Sequence, residues 1–208
     1  MPNHVSHRIY FESDDYKAKE EALERLEKLM RTDKHPFDFD ALLPYPEHFA
    51  ALDKAAQEAE DAGVPYHQRP KDGYNQGGYQ WCIQNWGTKW GAYDAAYDYD
   101  CVTFNTAWST AWPIWEILAQ HFKDIEMVIE YADEDKGRNC GIVAYKDGKR
   151  IYHTQADDMP DPVLFARAVI NEQRSNEYYQ DWRKAEQRIK ELEEQLKAAT
   201  QLSDNHSQ

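Results

Sequence analysis

The sequence predicts an α+β fold, an antiparallel sheet with helices on one face, followed by a long C-terminal helix. Three observations carry this expectation. Strand-length segments with period-two alternation recur between stripes of helical spacing. The pair Asp147-Gly148 stands between two apolar runs, a strong hairpin signal. Beyond Pro162 there is no further Gly or Pro to interrupt a helix.

The elements follow in chain order. Residues 5–11 alternate Val5, His7, Ile9, Phe11 against Ser6, Arg8, Tyr10, which is strand periodicity. Ser13 offers a helix N-cap, with Asp14 and Asp15 in a first turn where the helix dipole favours acids. Tyr16, Leu23, Leu26 and Met30 form one apolar stripe of the helix that follows. Phe37-Asp38-Phe39-Asp40 reads as a short extended piece, stopped by Pro44 and Pro46. A second helix spans residues 47–62, ended by Gly63 and Pro65. Residues 63–79 read as a long polar loop.

Trp81 and Asn85 share the four-residue spacing of one helical face, and Gly87 is a natural terminator. Residues 101–108 read as a strand. Helix 112–122 follows with Pro113 in its first turn and a buried stripe of Ile114, Ile117, Leu118 and His121 or Phe122. Residues 126–131, 140–145 and 151–153 make a three-stranded meander. A ferredoxin-like variant fits this order of elements.

From Asp161 the character changes. Tyr178, Trp182, Ala185, Ile189, Leu192, Leu196 and Ala199 repeat with alternating spacings of four and three, a heptad seam. The seam either pairs two copies of the chain or packs back on its own domain. The chain thus divides into an α+β domain at 1–158, a C-terminal helix at 159–200 and a frayed tail at 201–208.

Composition narrows the function. A formal net charge of -14 argues against direct nucleic-acid binding, which needs a basic face, and favours a protein partner with a basic surface. Between Gly91 and Asp135 the only Lys or Arg is Lys123, among ten acids that include Asp94, Asp98 and Asp100. The three cysteines, Cys82, Cys101 and Cys140, form no CxxC pair, so reduced thiols are expected rather than a zinc or redox site. No apolar run is long enough to span a membrane, and the first residues lack the pattern of a signal peptide. A cytoplasmic protein is expected.

No motif for turnover is present. His4 and His7 would point to opposite faces of a strand. Gly87-Thr88-Lys89 fails as a phosphate loop, because Thr88 intervenes before the lysine and Cys82 stands where the first glycine belongs. Asp157-Asp158 and Asp133-Glu134-Asp135 read as solvated turn acids, and Cys82 beside Trp81 as a small core residue. No enzyme, metal or cofactor is expected. The distinctive feature is the group Trp81, Trp86, Trp90, Trp108, Trp112 and Trp115. Trp81 and Trp86 read first as core. Six indoles in one span are hard to bury completely, so some should line a groove. The candidate binding residues are therefore Trp86, Trp90, Trp108 and Trp112, with Lys89 and Asp94 as polar anchors, and Asp98 and Asp100 as acidic contacts.

The opening Met1-Pro2-Asn3-His4-Val5, the Phe37-Asp38-Phe39-Asp40 segment with Pro44 and Pro46, Trp81-Cys82, Asn85-Trp86-Gly87-Thr88-Lys89-Trp90 and Phe104-Asn105-Thr106-Ala107-Trp108-Ser109 resemble the YubB-type proteins of bacteriophages and plasmids. The resemblance spans roughly residues 1–155. It implies a ferredoxin-like domain, a mobile-element accessory protein within a bacterial cell, and no assigned activity or catalytic residue. The family usually has prolines directly after Trp-Ser, whereas Thr110-Ala111-Trp112-Pro113 follows here. The resemblance does not extend to the heptad helix after Pro162.

The leading expectation is a non-enzymatic protein that binds a host protein and inhibits a defence or nucleic-acid enzyme. In one variant Asp94, Asp98 and Asp100 align along an extended segment and mimic DNA charge. The alternatives are a small-ligand or nucleotide module using the Trp groove, and a scaffold that self-assembles through Tyr178, Trp182, Ile189, Leu192 and Leu196.

Overall fold

The structure is a computed structural model that describes residues 3–170 together with Arg188 and Gln195, both helical. The oligomerisation residues Tyr178, Trp182, Ile189, Leu192 and Leu196 lie outside the described residues.

Six strands form one antiparallel sheet in the order β2-β3-β1-β4-β5-β6. They are β1 (His4–Glu12), β2 (Tyr93–Tyr97), β3 (Cys101–Ala107), β4 (Glu126–Asp133), β5 (Cys140–Lys146) and β6 (Lys149–Gln155). The helices are α1 (Tyr16–Met30), α2 (Glu47–Asp61), α3 (Gly78–Asn85), α4 (Trp112–His121) and α5 (Pro162–Ile170). β1 lies between β3 and β4, pairing Ile9 with Val102 on one side and with Ile129 on the other. The β-α-β-β-α-β order with β4-β1-β3-β2 adjacency is the ferredoxin-like split arrangement, here widened by the β5–β6 hairpin. The expected α+β class and ferredoxin-like sheet are therefore observed.

The larger core lies between the sheet and α1 and α4. Ile9, Phe11, Phe104, Met127, Ile129 and Val143 from the strands meet Leu23, Leu26, Met30, Ile114, Trp115 and Leu118. Phe37 and Phe39 insert beside Phe104, with the Phe37 ring stacked on it at 4.4 Å. Across the sheet, Tyr10, Val128, Ala132, Ile142 and Ala144 are covered by Phe165, Ala166 and Val169 of α5. Asp161 caps that helix by accepting from Leu164 N at 2.8 Å. The start of the C-terminal helix thus packs back on its own sheet.

Several local expectations are corrected. The N-cap of α1 is Asp15, which accepts from Lys17 N at 3.0 Å; Ser13 instead accepts from Asp15 N. Tyr16 leaves the core stripe and stands half-exposed, while Ala22 joins Leu23, Leu26 and Met30 inside. Phe39–Ala41 is one turn of 3₁₀ helix, because Asp38 accepts from Asp40 N and turns the chain. The 63–79 segment holds two further 3₁₀ turns, Tyr66–Gln68 and Tyr74–Gln76, before α3 begins. In α4 the fully buried ring is Trp115, whereas Ile117 is half-buried and His121 exposed. β2 is an additional strand. The Asp147-Gly148 hairpin forms as expected, with both residues at positive φ, 53° and 73°.

Candidate functional site

The aromatic loops converge at the end of the sheet where β1 and β2 begin and β3 ends. One loop follows α3 and carries Trp86, Lys89 and Trp90; the other joins β3 to α4 and carries Trp108. They are locked together by backbone geometry. Gly87 adopts φ +79°, and a Cβ there would sit 2.8 Å from Pro113 Cδ and 3.3 Å from the Thr110 carbonyl. Only glycine satisfies both demands without displacement. Ser109 Oγ donates to the Gly87 carbonyl at 2.6 Å, and Thr106 Oγ1 to the Ser109 carbonyl at 2.6 Å. Thr88, fully buried, donates to the Trp90 carbonyl at 2.6 Å.

On this base Trp108 projects outward. It has φ +70°, a conformation that a bulky residue rarely adopts, and its side chain is on a residue 47% exposed. Its backbone N–H donates to the Asn3 carbonyl at 2.9 Å, which prolongs the β1–β3 ladder and pins the strained residue. Lys89 Nζ lies 4.1 Å from the Trp108 ring centre and 4.9 Å from that of Trp90. The ammonium is therefore shared between two indole faces, an arrangement that orders all three side chains. Trp90 is tilted against Tyr93 at 6.5 Å, and Tyr93 Oη shares a hydrogen bond with His4 Nδ1 at 2.6 Å. Burial, then the charges of Asp94 and Glu134, push the Tyr93 phenol up to about 12, so it stays protonated.

The remaining candidates separate. Trp86 is core rather than groove: it is 7% exposed and its indole N–H donates to the Leu43 carbonyl at 2.9 Å. Trp112 faces a neighbouring cluster, edge-on to Tyr131 at 5.5 Å and to His153 at 5.0 Å. Tyr131 also lines a cleft of about 300 Å³, together with Arg138, Asn139 and Gln155. Tyr131 Oη and His153 Nε2 share a hydrogen bond at 3.2 Å, and burial lowers the His153 pKa while raising that of Tyr131 to about 12.

Asp94 adjoins the tryptophan loops, exposed at φ 53° and accepting from Asn105 Nδ2 at 3.4 Å. Asp98 and Asp100 do not adjoin them. They sit in the β2–β3 turn, across the seven residues of β3, about 20 Å away. Asp100 pairs with Arg8 at 3.5 Å. The regular acidic row required by the charge-mimicry variant is broken by the left-handed Asp94, by the register shift between Tyr93 and Ala96, and by the turn.

Sequence reasoning missed His4, Tyr93 and the tyrosines Tyr16 and Tyr99. The alternation Tyr93, Ala95, Tyr97 was the available signal for β2 and hence for Tyr93. Cys82, Cys101 and Cys140 are free and buried. Burial pushes the Cys82 and Cys140 thiols up to about 11, which leaves them protonated and poorly nucleophilic. Among the described residues, no group of three His, Cys, Asp or Glu side chains is placed to hold a metal ion, and no helix is long and apolar enough to cross a membrane.

The fold is that of a ferredoxin-like α+β protein bearing a rigid aromatic face at one end of its sheet. Residues 85–161 match the family model described as the ferredoxin-like domain in Api92-like protein, so the chain carries a domain of that kind. No curated protein and no solved structure matches the chain. The matched segment holds β2 to β6 and α4 but omits β1, the strand at the centre of the sheet.

Proposed function

We propose that this chain is a non-enzymatic accessory protein that binds another protein through the Trp108 face. The resemblance to YubB-type proteins supports, within this reading, a phage or plasmid protein acting inside a bacterial cell, and the proposed target is a host defence or nucleic-acid enzyme. The observation that carries the reading is Trp108 itself. A large indole is held half in solvent at φ +70° by a backbone hydrogen bond, two locked loops and a cation. Strain of this kind persists where the surroundings over-determine it, and exposed rigid aromatics are the usual anchors of protein interfaces. The net charge of -14 favours a partner with a basic surface.

The test is affinity capture from bacterial lysate with the parent chain and with Trp108→Gly, followed by mass spectrometry. Glycine removes the indole and suits the positive φ, so the fold is retained. The expected result is one protein held by the parent and weakened by about 2 kcal/mol, roughly thirtyfold, in the variant. Equal retention by both, or no retention at any salt, overturns the reading.

The polar cleft lined by Tyr131, against whose ring Trp112 packs, favours a second reading, a small-ligand or nucleotide module. A thermal-shift screen of nucleotides and metabolites tests it: one strongly stabilising compound supports it, and silence removes it.

A further inference from the structure

At the end of the sheet opposite the tryptophan loops, the β2–β3 turn meets the start of α1. Tyr16 and Tyr99 stack there, ring centres 5.9 Å apart and planes 27° apart. They are 50% and 74% exposed, so the pair is displayed to solvent rather than buried. The display is fixed by the turn: Asp98 N donates to the Cys101 carbonyl at 2.8 Å, and Asp98 Oδ1 accepts from Tyr99 N at 2.7 Å.

The charges around the pair are one-sided. The Tyr16 phenol is affected first by the Tyr99 hydroxyl and, more weakly, by the charges of Glu20 and Asp100. The neighbouring cations are engaged, Lys17 with Glu21 at 3.3 Å, Lys19 with Glu12 at 3.1 Å and Arg8 with Asp100 at 3.5 Å. Asp14 and Asp98 flank the two tyrosines in the sequence, and the Asp98 carboxylate is held in the turn by Tyr99 N. An exposed aromatic platform flanked by carboxylates is complementary to a planar cation. A guanidinium lays its face on a ring while its N–H fork reaches carboxylates at the edge; an ammonium is held in water more strongly and has no face to stack. Nucleic acid is repelled by the same carboxylates, and a second copy would set acid against acid.

We propose that the Tyr16–Tyr99 face docks an arginine-bearing segment of a partner protein. This surface is about 20 Å from Trp108, along the seven residues of β3, and stands without the Trp108 face.

The experiment titrates the full chain with a short oligo-arginine peptide and an oligo-lysine peptide of equal length, by calorimetry at about 0.15 M salt. It compares the parent, the double variant Tyr16→Ser with Tyr99→Ser, and Trp108→Gly. The double variant alters no charge. The expected result is about tenfold weaker oligo-arginine binding in the double variant, with oligo-lysine binding unchanged and Trp108→Gly behaving as the parent. A hydrogen-exchange footprint of oligo-arginine on the parent should fall on residues 97–100 and the first turn of α1, a readout independent of how the variant folds. Equal oligo-arginine affinity in a folded double variant overturns the proposal, as does a footprint elsewhere. So does parent self-association that the double variant abolishes, which would make a second copy the occupant.

Discussion

At the scale of single residues, the core contains an ionisable group that solution pH will expose. His7 lies in the middle of β1, 2% exposed, stacked on Phe104 at 4.9 Å and tilted against Trp115 at 5.5 Å. Among the described residues neither ring nitrogen makes a hydrogen bond of good geometry, nor does the Trp115 indole nitrogen beside it, and the nearby Val5 backbone offsets only part of the burial. Burial lowers the His7 pKa from 6.5 to about 3. The folded state therefore keeps His7 neutral where the unfolded chain already binds a proton. Stability is lost as pH falls from 6.5 to about 3, by about 1.4 kcal/mol per pH unit from this group alone. In His7→Leu, urea denaturation at a series of pH values should show a slope reduced by about one proton across that window. An unchanged slope would place the histidine charge elsewhere.

At the scale of elements, β1 holds the molecule together. It joins β3 to β4 and contributes Val5, Ile9 and Phe11, all 2% exposed or less, to the buried layer. Without it both neighbours become unpaired interior edges with hydrophobic faces, the condition that drives aggregation. Residues 85–161 expressed alone should therefore fail to give dispersed amide signals by NMR, whereas residues 1–170 should give them. A folded 85–161 segment would show that β3 and β4 can pair directly. The two true edges are better protected. β2 carries the left-handed Asp94 and a register shift, and β6 is irregular against β5 between Ala144 and Tyr145. α5 belongs to the same logic, since Phe165 closes the second face of the sheet.

At the scale of the whole molecule, two aromatic surfaces occupy opposite ends of one sheet, in a chain of net charge -14. The heptad residues Tyr178, Trp182, Ile189, Leu192 and Leu196 follow a helix whose first turns are docked on that sheet. If this seam joins two copies, multi-angle light scattering should give twice the chain mass for residues 1–208 and a single mass for residues 1–170. The cut must fall after Ile170, because a chain ending at Asp158 would also lose Phe165 and open the second core. Single mass for both lengths would remove self-assembly as a role.

What could be read from the sequence was whatever local chemistry determines. The period-two run 5–11, the Asp147-Gly148 turn, the proline that starts α4 and the Gly87 stop are each decided within a few residues. They were enough to derive the α+β class and the meander. Three things depended on contacts distant in sequence. The place of β1 between β3 and β4 arises because it can bury both neighbours at once. The sorting of the tryptophans into buried Trp86 and Trp115 and displayed Trp108 arises because the Trp108 N–H donates to the Asn3 carbonyl and the Ser109 hydroxyl to the Gly87 carbonyl, which orients the loops. The division of Asp94 from Asp98 and Asp100, and the pairing of Tyr16 with Tyr99, arise because a strand places its two ends on opposite sides of the molecule. Spacing along a chain specifies what a segment can form, whereas proximity across it depends on which surfaces are buried together.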